Sequence, residues 1–196
     1  MAEREFTAAD WRGYGRSDFP HNAWSVDGNV LRARASGERI DLISRESFRD
    51  FVLQFEWQLP RAGSSAVVFR VSEETRPAMH SGPAMQLLDD EHHPDGVDAL
   101  TSCGALYGLI GAWHDERSSA NAYHDSRIIV NGTRIEFWID DIQVLGCDLA
   151  GEELRERIAH SRFRDFAQFA CATEGHIVLA HRGTEAWFRR LRIETS

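Results

Sequence analysis

The chain has 196 residues and a formal net charge of −9. That length suits one domain, residues 1–196, with a substantial core, and the acidic balance argues against nucleic acid or an anionic membrane surface as partner. No apolar stretch is long enough for a membrane span. All 22 basic residues are arginine, which excludes a lysine Schiff base and a Walker-type phosphate loop.

The first residues, MAEREFTAADW, lack a basic segment followed by an apolar run, so no signal peptide is visible and the expected location is the cytoplasm. Trp24 to Val26, a turn at Asp27-Gly28-Asn29, and Val30 to Ala33 read as a hairpin. Residues 39–43 form the next strand. Residues 51–59 alternate, with Phe51, Leu53, Phe55, Trp57 and Leu59 on one face. Residues 66–71, 84–88 and 105–110 are further strands. Asn131-Gly132 joins strands 127–130 and 134–139, the strongest hairpin signal, and Asp140-Asp141 turns into 142–145. Residues 151–158 have helical spacing with i,i+4 charge pairs, and 162–169 suggest another turn or two of helix. Strands 175–180 and 186–193 finish the chain. With no alternation of strand and helix, the predicted class is all-β, a sandwich of two antiparallel sheets.

Cys103, Cys147 and Cys171 are too dispersed for a zinc site and read as small buried residues. The densest run of reactive side chains is Gly82 to Gly96. It carries Asp89, Asp90, Glu91, His92, His93 and Asp95 within seven positions. Such a run suits proton transfer or binding of a cation or a sugar, since imidazole titrates near neutrality. It also has the composition of an acidic solvated loop.

Several phrases, in order along the chain, resemble the 3-keto-disaccharide hydrolase family. Phe48-Arg49-Asp50-Phe51 through Glu56-Trp57 is similar to its "FxDFxLxxEW", and Gly63 to Arg70 to its "GNSGIxFR". Gly82-Pro83-Ala84-Met85-Gln86 through Asp90 is similar to "GxExQxxD(D/N)", and Gly104 to Tyr107 to "GALY". Residues 127–140 resemble its "RIxVxGxxIxxWxNG" hairpin, Gly175 to Gly183 its "GHIxLQDHG", and Trp187 to Ile193 its "xFRNIxI". The resemblance implies a concanavalin A-like jelly roll that cleaves 3-keto-glycosides. A C3 ketone acidifies the C2 proton, a base removes it, the C1 substituent leaves by β-elimination, and water adds back. This needs a base, an enolate stabiliser and a proton donor. One divalent cation is an implied stabiliser; no organic cofactor is implied. The implied partner is a small-molecule carbohydrate or glycoside.

The chain departs from the pattern at polar positions. The family Glu of "ExQ" falls on Ala84. In "LQDHG", Gln, Asp and His fall on Ala180, His181 and Arg182, and a Trp-Asn pair before the hairpin falls on Tyr123 and His124. On the resemblance, the base comes from His92, His93, Asp89 or Asp90. Arg70 and Gln86 stabilise the enolate, with a structural ion pair and a buried amide as their alternative readings. Trp113, Tyr107, His181, Arg182 and His124 contact the substrate, with His114 and Asp115 beside Trp113. A cation would take Asp89, Asp95 and His93. The alternative function is a non-catalytic carbohydrate-binding domain, for which Ala84 speaks.

Overall fold

The computed structural model describes residues 2–113 and 120–195; His114 and Asp115 lie outside them. The described strands are β1 (Ala2–Glu5), β2 (Trp11–Gly13), β3 (Trp24–Asp27), β4 (Val30–Ala33), β5 (Leu42–Phe48), β6 (Phe51–Gln58), β7 (Ser64–Val71), β8 (Ala84–Leu88), β9 (His124–Asn131), β10 (Arg134–Ile139), β11 (Ile142–Asp148), β12 (Gly175–Leu179) and β13 (Ala186–Thr195). One helix, α1 (Glu152–Ala159), follows β11. The larger sheet runs β11-β10-β9-β6-β13-β4-β3, with β1 added on β13; the smaller runs β2-β5-β12-β7-β8. Pairing in both is antiparallel. This is the predicted jelly-roll sandwich.

The main core fills the space between the sheets. Along β6 the alternation places Phe51, Leu53, Phe55 and Trp57 inward, as their burial shows. Phe69 of β7 meets Phe137 of β10 edge to face across the core, with ring centroids 6.1 Å apart.

The smaller sheet is unusual in that β7 and β8 are buried at every position. Its outer face carries a second apolar layer of Ile43, Ala66, Val68, Ala84, Val178 and Ala180, packed by Tyr14, Met79 and Tyr107. Residues apolar on both faces explain why 66–71 reads as a continuous run rather than an alternating one.

Four expectations needed correction. The strand expected over residues 39–43 begins only at Leu42 and runs to Phe48. Residues 105–110 form no strand: Leu106 makes isolated bridges to Met85 and Ile110, and Gly104 and Gly108, both at positive φ, curl the chain. Residues 162–169 are turns, not helix; Phe163 and Phe169 stack at 4.1 Å and pin them to the core. Cys171 is exposed rather than buried, while Cys103 is buried as expected.

Candidate active site

The acidic loop after β8 is spent largely on building itself. Asp89 is 2 % exposed; its Oδ2 accepts from the Ala62 amide at 2.7 Å and contacts His92 Nδ1 at 2.9 Å. Those contacts fix the β6–β7 turn, where Ala62 sits at φ 56. Asp90 Oδ1 accepts from the Cys103 amide at 2.8 Å. His93 Nδ1 accepts from the Asp95 amide at 3.1 Å and caps a short 3-10 turn, Pro94–Val97. Among the described residues no three His, Cys, Asp or Glu side chains converge as a cation site. Asp89, His93 and Asp95 therefore do not fit the cation that the family resemblance implies.

The other expected site residues separate into two groups. Arg70 turns away from the outer face. It is 4 % exposed, and its guanidinium donates to the carbonyls of Gly132 at 2.6 Å and Arg49 at 3.2 Å, with Asp50 at 3.7 Å. It ties β7 to the β9–β10 turn, and burial pushes its pKa down against the pull of Asp50. His124 lies inside the larger sheet, with Nδ1 2.7 Å from Asp140 and its ring 5.0 Å from Trp57. Trp113 is 57 % exposed and lies against Gly146 of β11.

Gln86, Tyr107 and Arg182 do come to one face. Gln86 lies opposite Ala66, and Ala84 opposite Val68, so all four share the outer face of the smaller sheet. Ala180 continues that row through its amide bond to the Ala66 carbonyl. Gln86 is 2 % exposed, and its side-chain carbonyl has no partner. Arg182 reaches across this face to Met79 and places its guanidinium 5.8 Å from the Tyr107 ring; Arg162 stands 5.3 Å from the same ring and donates to its hydroxyl.

At the far end of the row stands a residue that motif reasoning passed over. Asp41 precedes β5, and one further step of the β5–β12 register sets it beside Ala180. Its Oδ1 accepts from the His181 amide at 2.7 Å, and its backbone carbonyl accepts from the Tyr14 amide at 2.9 Å. The preceding Ile40 carbonyl accepts from the Trp24 indole at 2.7 Å. Asp41 is thus pinned on three sides. Burial raises its pKa; the His181 amide and the Arg182 charge oppose that shift without cancelling it. Asp41 lines a cavity of about 490 Å³ together with Tyr14, Arg16, Glu38, Arg39 and Arg76. The signal was present in Ile40-Asp41-Leu42-Ile43: strand alternation puts Asp41 with Ile43, on the outer face.

Alternation also explains His181. Ala180 and Arg182 face outward, and the His181 ring faces the core, 5.8 Å from Trp24 and perpendicular to it. Burial pushes the pKa of His181 down, so the ring is neutral at pH 7. Its Nδ1 accepts from the Gly183 amide at 3.1 Å, which puts the proton on Nε2. The imidazole anchors the strand end; the amide holds Asp41. Tyr14, pushed up to about 12 mainly by burial, stays a neutral donor to the Thr75 carbonyl at 2.5 Å.

The outer face of the smaller sheet thus carries a carboxylate of raised pKa at Asp41 and, on the adjoining strand end, the Arg182 guanidinium. The chain belongs to the 3-keto-alpha-glucoside-1,2-lyase-like domain family, whose profile matches residues 5–194. A curated 3-keto-disaccharide hydrolase from Bacteroides thetaiotaomicron is 26% identical over 94% of this chain and 73% of its own length. Among solved structures, a proposed glycosyl hydrolase from Parabacteroides distasonis superposes with a TM-score of 0.89 at 17% identity, covering 97% of this chain and 90% of its own. A carbohydrate binding module from Bacillus subtilis gives 0.61 at 15% identity, over 95% and 96% of the two chains. At those identities the solved structures speak for the fold alone. The family points to a carbohydrate-active hydrolase.

Proposed function

We propose that the chain cleaves 3-keto-glycosides, with Asp41 as the base. The observation that carries this reading is the Asp41 carboxylate. It is held by the His181 amide, raised in pKa by burial, and belongs to a residue that lines a cavity of about 490 Å³. A raised pKa makes a carboxylate a stronger base than an ordinary aspartate.

Asp41 takes the C2 proton of the 3-keto sugar. The electron pair passes to the C3 oxygen as an enolate, and Arg182, whose charge Asp41 senses, is the cation beside it. Collapse of the enolate breaks the C1–O bond. The departing oxygen takes the proton from Asp41, leaving a 1,2-unsaturated ketone and a free alcohol. Addition of water across that double bond gives the 3-keto sugar and completes a net hydrolysis.

The departures from the family pattern support this reassignment. Where the pattern has Glu and Gln, the floor here is Ala84 and Ala180, both nearly fully buried. The acid proposed here stands one row over from the family Glu position, in the row of Gln86 and Ala180, about 14 Å from Gln86 by three strand spacings. The test is turnover of a 3-keto-glucoside in deuterium oxide. Release of the alcohol with deuterium at C2 of the sugar supports the reading; release without deuterium at C2 rejects proton abstraction there. Binding without release would instead favour a carbohydrate-binding domain, the reading that loss of the family Glu at position 84 favours.

A further inference from the structure

The walls of the Asp41 cavity carry an excess of positive charge, although the chain as a whole carries −9. Arg16, Arg39 and Arg76 line it against two carboxylates, Glu38 and Asp41. Arg16 is already paired with Glu38 at 2.8 Å. Neither Arg39 nor Arg76 has a carboxylate partner among the described residues, nor has Arg182, whose buried Nε lacks any hydrogen bond.

Two of these cations are seated by glycines. Gly183 has φ +87, and a Cβ on it would meet the Arg39 guanidinium at 2.5 Å. Gly15 has φ +69, and a Cβ there would overlap the Arg76 guanidinium, which also stands 5.7 Å from the Tyr14 ring. Both glycines hold a positive φ that other residues rarely adopt, and each guanidinium lies against its glycine where a Cβ would stand. The two cations thus line the cavity beside these glycines, with no hydrogen bond or ion pair among the described residues committing them elsewhere.

We propose that the sugar recognised by this cavity carries a carboxylate, as in a glycuronide, and that Arg39 and Arg76 bind it. This rests on the reading of the cavity as a glycoside site. A planar carboxylate matches the guanidinium fork, and three cations against two carboxylates leave room for one negative charge. A dianion such as a phosphate would meet the Asp41 and Glu38 carboxylates with a second charge uncompensated.

The test is binding, which does not depend on turnover. Methyl glucuronide and methyl glucoside, neither of them oxidised at C3, are titrated into the intact protein and followed by NMR. The glucuronide is expected to bind about tenfold tighter, and the preference to shrink as salt rises. Arg39→Gln with Arg76→Gln is expected to remove the preference while leaving methyl glucoside binding in place. Equal affinities for the two glycosides, or a preference indifferent to both salt and the substitutions, would overturn the proposal. Neither result bears on proton abstraction, which the deuterium experiment reads separately.

Discussion

The His181 amide donates to Asp41 Oδ1 at 2.7 Å while the His181 ring packs 5.8 Å from Trp24 in the core. One residue thereby couples the interior of the sandwich to the carboxylate on its outer face. On the proposed reading His181 is a positioning residue, holding Asp41 through its amide while its ring stays in the core. His181→Phe keeps the amide and the ring's place against Trp24. It is expected to retain kcat within about tenfold and to lower stability by about 1–2 kcal/mol for the lost Gly183 bond. Steady-state kinetics with thermal melts check both.

Asp41 titrates from a raised pKa, and the sign follows from that direction. Below the ordinary carboxylate range both folded and unfolded chains are protonated at this position. As pH rises the unfolded chain ionises first, so stability is lost until the folded carboxyl has ionised too. The acid limb of activity is expected at a higher pH than for an unperturbed aspartate. Asp41→Asn still accepts from His181, so it is expected to be as stable as the native chain or more so at pH 7, with the difference vanishing in acid. Melting curves at several pH values test this.

Glu73 titrates in the opposite sense. Its bidentate pair with Arg12, at 2.8 and 2.5 Å, and the Gly15 amide hold its pKa down to about 2. This contribution is complete above the ordinary glutamate pKa of 4.5 and is lost as pH falls toward about 2. Glu73→Gln is expected to cost about 2 kcal/mol at pH 7 and almost nothing at pH 2. Because Gly15 seats Arg76, it should also weaken glycuronide binding. Denaturant titration and the NMR binding assay read the two effects.

The histidines of the acidic loop give a direct contrast. His93→Ala removes a cap and is expected to cost about 1 kcal/mol, and His92→Ala less, with kcat unchanged in each. A loss of about a hundredfold in kcat at either position, with folding intact, would return the base to this loop.

Ala84 tests what the missing family carboxylate means. It is 3 % exposed, faces outward opposite Val68, and its carbonyl accepts from the Tyr107 amide. Ala84→Glu would bury a carboxyl among Val68 and Val178 and is expected to cost about 2–4 kcal/mol without raising activity. Activity and denaturation measured together separate this from a restored site.

The fold was legible because its signals are local. Alternation in β6, Asn131-Gly132 between β9 and β10, and the run into β8 each specify an element on their own. β1 and β2 were invisible because they are short and carry mixed residues whose pairing is decided by partners far along the chain: Trp11 opposite Ser44, and Arg4 opposite Ile193. The site was legible only in part. Charge density drew attention to the Asp89–Asp95 loop, but those groups bond to nearby amides of the same end of the sheet. Asp41 stood alone in an apolar run. Its importance comes from the His181 amide, 140 residues away in sequence, and from burial that no local pattern encodes.

The most direct measurement compares the native chain with Asp41→Asn on a 3-keto-glucoside at pH 7, following release of the alcohol in samples shown by melting curves to be folded. The native chain should release it, and Asp41→Asn should be slower by about 10²–10⁴-fold at unreduced stability. Equal rates would contradict Asp41 as the base.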